Sequence, residues 1–192
     1  MTNLPMIREQ ALELVRKYNT DKFDINHYLE AEAIMGALAK RLGEDEGYWG
    51  MLGLLHDIDW GITKNNHTSH LTKAPEILKK SGFDDKFIQT IVSHGYGFDC
   101  AELKDMKRNE KTEHALAAAE TVTGLIHAYA LMRKSINGME VKGLKKKMKD
   151  KTFAAKVNRE VIIECEKLGL TLDEFLDISI KAIESISNEI GL

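Results

Sequence analysis

The stretch "GMLGLLHDIDWG", residues 50–61, joins an apolar run to two adjacent polar residues, His56 and Asp57. The run before the pair is apolar enough to lie in a protein interior. A buried imidazole or carboxylate is costly unless it has a partner. We therefore expect the pair either to bond to backbone groups or to bind a ligand, and the other histidines and acids of the chain distinguish these two cases.

The composition is that of an ordinary globular chain. Its 192 residues suffice for one domain with a substantial core, and 43% are hydrophobic while 30% are charged. The net charge of −3 gives no bulk attraction to nucleic acid. Cys100 and Cys165 lie far apart, which argues against a thiolate zinc site and fits a reducing cytoplasm.

Targeting signals are not expected. The N-terminal stretch carries acids and no long apolar run, so it does not resemble a signal peptide. No stretch approaches the roughly 20 apolar residues that a membrane span needs. The sequence therefore predicts a cytoplasmic protein that does not bind membranes.

Helical periodicity runs through the whole chain. Only two prolines are present, and no useful length shows the alternation typical of strands. Pro5 is placed in the first turn of an N-terminal helix, and Gly43 is the predicted stop of the second helix. The further predicted helices are 25–42, 46–57, 70–81, 84–94, 112–132, 158–168 and 172–190. The helix 112–132 is apolar on nearly every side, so we place it at the centre of an all-α bundle.

The composition shifts after Asn137 and Gly138, where a basic stretch begins. We divide the chain into a helical core, residues 1–136, and a helical C-terminal extension, residues 137–192. The extension is expected to pack on the core as part of the same domain.

Four histidines are predicted to point inward from four separate helices. His27, His56, His70 and His94 each continue an apolar stripe at or near a helix end. Independent core histidines would each need a private partner, whereas one shared metal site satisfies all four, since neutral imidazole is a common metal ligand. The dipole of a helix N-terminus is expected to keep His70 neutral.

The remaining three histidines are predicted to lie outside the metal site, at the surface or in the core. His67 and His114 lack apolar neighbours at helical spacing, so both are expected at the surface. His127 lies on the inward face of the central helix; it could support the site or be a satisfied core histidine, and we favour the latter.

A hydrolytic metal also needs hard oxygen ligands. Asp57 is one candidate, and Glu120, within the apolar central helix, is the other. A salt bridge to a buried cation is the alternative for Glu120, although no basic residue lies one turn away on its helix. Asp99 is a rival oxygen ligand, and Asp59 is a weaker one.

The pattern of His27, the His56–Asp57 doublet and a later carboxylate resembles the HD-domain superfamily of metal-dependent phosphohydrolases. "LLHDID" stands where many members carry HDIG. The additional His70 and His94 resemble the subset with a two-metal centre. "GYWGMLGLLHDIDW", "HLTKAPEIL", "SHGYGFD", "AETVTGLI" and "DKTFAAKVNREVIIECEKLGL" together resemble a family of bacterial and archaeal HD hydrolases over nearly the whole chain.

The resemblance implies an HD-type helical bundle and a set of ligands. The first metal is assigned to His27, His56, Asp57 and Glu120. The second is assigned to His70 and His94, with Asp57 bridging. The superfamily usually has Asp where this chain has Glu120. Mixed imidazole and carboxylate ligation favours one or two ions of Mn, Fe, Co or Ni over Mg.

The implied activity is hydrolysis of a phosphate ester or nucleotide by metal-activated water, with His56, Asp57 and Lys64 as the catalytic residues. Lys64, Lys73 and Arg133 are candidate phosphate contacts. The basic run 142–151 is either another such contact or a solvated face. The expected substrate is small and anionic rather than a nucleic-acid polymer. A di-iron oxygenase of HD type and a non-catalytic metal- or nucleotide-binding module remain as alternatives.

Overall fold

A computed structural model describes residues 4–192, and all regular secondary structure in that range is helical. Short 3-10 turns occur at His67–Ser69, Ser93–Gly95 and Glu164–Leu168. The α-helices are α1 (Arg8–Tyr18), α2 (Lys22–Leu42), α3 (Glu46–Leu55), α4 (Trp60–Thr63), α5 (Ala74–Lys80), α6 (Asp85–Val92), α7 (Lys111–Arg133), α8 (Val141–Lys149), α9 (Arg159–Ile163), α10 (Leu172–Ser185) and α11 (Ser187–Ile190). The predicted all-α class is confirmed.

Several predicted boundaries are wrong near the polar residues. The helix expected from His70 begins only at Ala74, because residues 67–69 form a 3-10 turn and Leu71 has a left-handed backbone with φ +66°. Helix α6 ends at Val92 and continues as a 3-10 turn through His94. Pro5 lies before α1 rather than in its first turn.

Two short helices were missed by the periodicity argument. Helix α4 lies in the segment predicted as a loop after the doublet, and α8 lies in the basic run. Helix α8 buries only Leu144, so its nine residues carry too little apolar signal to distinguish it from a solvated segment.

Helices α2 and α3 form the hairpin that places the doublet. Asp21 caps α2 by accepting a hydrogen bond from the Phe23 amide at 2.8 Å. The helix ends at Gly43, whose φ of +74° is the left-handed conformation that glycine adopts readily. Asp45 then caps α3 by accepting from the Tyr48 amide at 3.0 Å, so the two helices are joined by a short turn.

Helix α7 is the central helix, as predicted. The alanines among residues 115–119 are fully buried, as is Leu116, and the small alanine side chains let neighbouring helices approach closely. By length and apolarity alone α7 could cross a membrane, contrary to the expectation that no stretch approaches this limit. However, 61% of its apolar window is buried inside the bundle, which is the environment of a core helix.

The C-terminal helices share the core of the N-terminal ones. Leu144, Ile162 and Phe175 belong to the same buried hydrophobic cluster as Leu38 and Leu116. In addition, the Asn26 side chain on α2 donates to the Ile190 carbonyl at 2.7 Å. The C-terminal segment is thus tied to the helix that carries His27.

Gly53 sets the distance between α3 and α2. A Cβ atom at this position would lie 2.5 Å from the Ala31 carbonyl oxygen and 2.7 Å from the Glu32 amide nitrogen. Both atoms are backbone, so they cannot move without shifting α2. The carbonyl of Gly53 also accepts a hydrogen bond from His56 Nδ1 at 2.7 Å. The close packing at Gly53 therefore positions the His56 ring directly.

Gly53→Ala is expected to destabilise the fold, because the added methyl forces α2 and α3 apart. A loss of about 2–3 kcal/mol in the free energy of unfolding is expected from overpacking of this kind, measured by chemical denaturation. Gly47→Ala on the same helix is the matched control. Its Cβ would meet only the Asp45 side chain at 3.4 Å, so equal losses in both variants would contradict the packing argument.

Candidate metal centre

Four imidazole nitrogens and one carboxylate converge at the end of α3. The Nε2 atoms of His27 and His56 lie 3.0 Å apart, and those of His70 and His94 lie 3.2 Å apart. Asp57 lies between the two pairs. Its Oδ1 is 3.2 Å from His70 Nε2 and 3.1 Å from His94 Nε2, and 3.6 Å from His56 Nε2, while its Oδ2 is 3.9 Å from His27 Nε2.

The opposite nitrogen of each ring is anchored. The Nδ1 atoms of His56 and His94 donate to the carbonyls of Gly53 and Ile91, both at 2.7 Å. His27 Nδ1 donates to Thr123 Oγ1 at 2.8 Å, because that hydroxyl itself donates to the Glu120 carbonyl at 2.6 Å.

Metal-ligating histidines are oriented in this way by their second nitrogen, which leaves Nε2 as the ligand atom.

The doublet converges because α3 stops there. The helix ends at Leu55, and residues 56–59 form turns in which the Ile58 amide donates to Leu55 and the Trp60 amide to Asp57. Adjacent side chains diverge on a regular helix by about 100°. The turns remove this constraint and allow His56 and Asp57 to point to one centre.

The electrostatic surroundings of His56 and Asp57 suit both side chains to a ligand role. Burial lowers the pKa of His56 to about 3, so its ring is neutral at physiological pH. Burial alone would raise the pKa of Asp57, but the neighbouring His56 and His70 hold it well below its usual range. Asp57 is therefore a carboxylate that faces imidazoles.

His70 differs from the expectation of a neutral ring. Burial lowers its pKa, yet the carboxylates of Asp57 and Asp59 outweigh burial and raise the pKa to about 10. Since α5 begins only at Ala74, no helix N-terminus lies at His70 to favour the neutral form. The protonated ring supplies a positive charge beside Asp57.

Asp59 orients the site rather than offering itself as a ligand. Its fully buried carboxylate lies 3.2 Å from His70 Nδ1. It also accepts backbone amides of Leu71, Lys73 and Ala74 at 2.9–3.2 Å. With both oxygens used in this way, Asp59 fixes the turn that carries His70. The sequence analysis ranked Asp59 as a weak ligand and did not foresee this role.

The donor set fits metal ions. His27, His56 and Asp57 form one group, and Asp57, His70 and His94 form another, with ligand atoms within 4.8 Å of one another in each. Two ligands that each lie about 2.1 Å from one cation are about 3.0–3.5 Å apart, as the paired Nε2 atoms are. With Nδ1 protonated, the lone pairs of His27 and His56 face each other at 3.0 Å, an arrangement that a cation between them stabilises.

Glu120 lies in the same cleft but outside these two groups. Burial raises its pKa, while the nearby His94 and His27 act in the opposite direction. Its Oε1 accepts a hydrogen bond from Thr121. Among residues 4–192, no Lys or Arg forms an ion pair with Glu120, contrary to the salt-bridge alternative. Its assignment as a ligand stays a prediction.

The other three histidines lie in three different environments. His67 is exposed as expected, although its ring lies near Trp60. The surface placement of His114 is wrong. Its side chain is largely buried and bonds Glu164 at 2.6 Å, because the C-terminal segment covers it. His127 is buried and bonds Glu30 at 2.5 Å, so it has the partner that a core histidine needs.

A cleft of about 430 Å³ opens over the first group. His27, Asp57 and Glu120 border it together with the aromatic rings of Phe23, Trp60 and Phe98. Asp99, the rival oxygen ligand, does not border this cleft; it is exposed beside a second opening near His94.

The predicted phosphate contacts lie outside this cleft. Lys64 pairs with Asp24 at 3.0 Å and so neutralises one carboxylate of the cleft wall. Lys73 is exposed before α5, and Arg133 donates to the Asn137 carbonyl at 3.0 Å. Lys156 is the one Lys or Arg among the described residues that border the cleft. The sequence analysis missed it, since a single lysine beyond a basic run carries no distinctive signal.

Arg108 holds the segment that carries His94 and was also missed. Its Nη1 donates to the carbonyls of Ser93, His94 and Tyr96 at 2.9–3.3 Å. Its other nitrogens pair with Glu164 at 2.5 and 2.7 Å. Arg108 is nearly buried, so Glu164 supplies the charge that balances it. The sequence spacing of Arg108 and Glu164 gives no signal from which this ion pair could have been predicted.

Comparison with known proteins agrees with this geometry. The HD domain family matches residues 24–141, which is more than half of the chain. The chain therefore belongs to the HD-domain family, a superfamily of metal-dependent phosphohydrolases. The family resemblance of the sequence is thereby confirmed. No solved structure matches the chain.

Several curated relatives carry names of RNA-related enzymes. Ribonuclease Y 1 of Pediococcus pentosaceus is 27% identical over 71% of this chain and 26% of its own length. A tRNA (cytidine(56)-2'-O)-methyltransferase of Thermoplasma volcanium is 30% identical over 48% of this chain and 27% of its own length. Ribonuclease Y of Listeria monocytogenes is 39% identical over 36% of this chain. The chain thus spans about a quarter of the first two relatives.

Glu164→Gln is expected to lower the free energy of unfolding at neutral pH by about 1–3 kcal/mol, since it removes the charge-assisted bonds to Arg108 and His114. Burial raises the pKa of Glu164, but Arg108 and His114 hold it below its usual value. A depressed carboxyl pKa stabilises the fold above the ordinary pKa and ceases to do so as the pH falls through the folded value.

The difference between wild type and Glu164→Gln should therefore shrink on acidification, measured by urea unfolding between about pH 7 and pH 3. A difference that stays constant over this range would contradict the ion-pair role.

Asp57→Ala is expected to abolish binding of both ions, because its carboxylate belongs to both groups. His94→Ala should lose one ion and keep the first group. Elemental analysis of dialysed protein measures the stoichiometry. Asp105→Ala is the control, since Asp105 is exposed in the loop before α7. Two ions retained by Asp57→Ala would contradict the shared-ligand geometry, and the same measurement on Glu120→Gln tests whether Glu120 is a ligand.

Proposed function

We propose that this chain is a metal-dependent phosphohydrolase that acts on a small phosphate ester or nucleotide. The observation that carries the proposal is the pair of ligand groups joined by Asp57 at the base of an accessible cleft. His27, His56, Asp57, His70 and His94 would hold one or two divalent transition metals, with Mn, Fe, Co or Ni favoured over Mg by the imidazole content. Such ions supply an activated water and neutralise phosphoryl charge.

The charge of the cleft supports an anionic substrate only when cations are bound. Asp24, Glu30, Asp57 and Glu120 border the cleft, against Lys156. Asp24 is balanced by Lys64, which leaves the remaining acids in excess. A phosphate would be repelled by this surface unless the ligand groups held metal, so the proposed substrate and the proposed metals depend on each other.

The cleft walls favour a substrate with an aromatic or apolar part. Phe23 is 63% exposed and Phe98 38% exposed, and both border the cleft with Trp60. Exposed aromatic rings at the mouth of a cleft can stack on a planar group such as a nucleobase. The volume of about 430 Å³ is in the range of small-ligand pockets. Lys156 would bind an anionic group of the substrate.

The test is phosphate release by metal-stripped protein reloaded separately with Mn²⁺, Fe²⁺, Co²⁺, Ni²⁺ or Mg²⁺. The panel contains phosphomonoesters, nucleotides and a short RNA. Wild type should release phosphate from a small ester in a metal-dependent way, while Asp57→Ala should not. Lys156→Met should raise KM, with Lys149→Met on the exposed side of α8 as the matched control. RNA cleavage without turnover of small esters would contradict the substrate class.

Two other results would contradict the chemistry itself. Oxygen uptake by an iron-loaded, coloured protein without phosphate release would indicate an oxygenase. Specific nucleotide binding without turnover under every metal would indicate a binding module.

A further inference from the structure

A second polar pair lies in the cleft beside the metal ligands. His127 Nδ1 on α7 is 2.5 Å from Glu30 Oε1 on α2. Glu30 is 2% exposed and His127 9% exposed, yet both border the cleft. This pair is not needed to hold metal in either ligand group, and its members come from the same two helices that carry His27 and Thr123.

The two pairs form successive rungs between α2 and α7. His27 bonds Thr123 in one rung, and Glu30 bonds His127 in the next. The rungs are separated by three residues on α2 and four on α7, which is about one helical turn, or about 4.5–6 Å along the axes. His127 therefore lies about one helical turn from the contact that holds His27, a ligand of the first group. A substrate bound at the metals and extending along the cleft would reach His127.

The free nitrogen of His127 faces the cleft. Among residues 4–192, the ring has a hydrogen-bond partner at Nδ1, and none is found at Nε2. No side-chain nitrogen or oxygen in the described chain is both buried and without a partner, so Nε2 is reached by solvent. Because the ring borders the cleft, Nε2 is open to a ligand there.

We infer that Glu30 and His127 form a proton-transfer dyad in which His127 Nε2 gives a proton to the leaving oxygen of the substrate. The inference rests on the proposed phosphohydrolase function. Glu30 keeps the other ring proton on Nδ1 and supplies a negative charge beside the ring, the arrangement by which carboxylates orient catalytic histidines. Glu30 is thus a positioning residue, and His127 is the residue that touches the substrate.

The step balances for a phosphomonoester. A P–O bond forms to the oxygen of water, and the P–O bond to the alcohol breaks. The leaving oxygen takes the proton from Nε2, which yields a neutral alcohol and inorganic phosphate. The attacking water releases one proton to solvent as it becomes the hydroxyl of the phosphate, the ring regains one proton from solvent, and the Glu30–Nδ1 hydrogen bond is kept throughout.

The test compares two esters of similar size whose leaving groups differ in basicity. Benzyl phosphate releases an alkoxide that needs a proton, whereas p-nitrophenyl phosphate releases a weakly basic phenolate. His127→Asn keeps a donor for Glu30 and removes Nε2, so the fold should persist. It is expected to lower kcat/KM for benzyl phosphate about 100-fold or more and for p-nitrophenyl phosphate less than about tenfold. Glu30→Gln should show the same selective loss, to a smaller degree.

His114→Asn is the matched control, because it alters the other histidine–carboxylate pair, away from this cleft. Any loss in this variant should be equal for the two esters. Equal losses in His127→Asn would overturn the dyad while leaving the phosphohydrolase intact. A wild type inactive on both esters and on the wider panel would overturn the proposed function and the dyad together.

A readout without turnover accompanies the kinetics. Long-range ¹H–¹⁵N NMR of the metal-free chain, assigned with His127→Asn, should show the proton of His127 retained at Nδ1. A ring protonated only at Nε2 would overturn the dyad, since the carboxylate could not then receive the Nδ1 proton.

Discussion

The facing imidazole nitrogens around Asp57 are the constraint on which the structure depends. Two pairs of Nε2 atoms lie 3.0 and 3.2 Å apart, across a carboxylate that is largely removed from water. Without a cation or proton between them, the lone pairs repel and the buried polar groups lose the hydrogen bonds of water. The carboxylates of Asp57 and Asp59 raise the pKa of His70, which favours a positive charge on this ring beside Asp57.

This convergence requires rigid support from several elements. Backbone carbonyls hold His56 and His94, Thr123 holds His27, and Asp59 holds His70. These supporting groups lie on α3, α6, α7 and the turn after α3. Errors of about 1 Å in any of these supports would remove the common centre. The close approach of α2 and α3 at Gly53 and the Arg108 contacts with residues 93–96 therefore contribute to the site as well as to stability.

The sequence predicted what depends on periodicity and on residue chemistry. Helical patterning led to the all-α fold and to α7 as the central helix, and inward stripes selected the histidines that converge. It failed where the chain leaves the helix. The start of α5, the ionisation of His70 and the role of Asp59 all depend on the turns at 56–59 and 67–73, which have no periodic signal. Long-range partners such as Arg108–Glu164 and Glu30–His127 were equally inaccessible, because spacing along the chain does not encode contacts between distant elements.

The C-terminal segment contributes to the candidate site through its contacts. The family match ends at residue 141, yet Glu164 balances the arginine that holds the His94 turn. Lys156 and Asn158 border the cleft from the same segment. Removing this segment would therefore leave a nearly buried guanidinium unpaired beside the candidate ligand His94 and would open one wall of the cleft. Under the proposed function, residues 156–158 would contact the substrate from this segment, while the candidate metal ligands lie on α2, α3 and the turns, so the two parts of the site can vary separately.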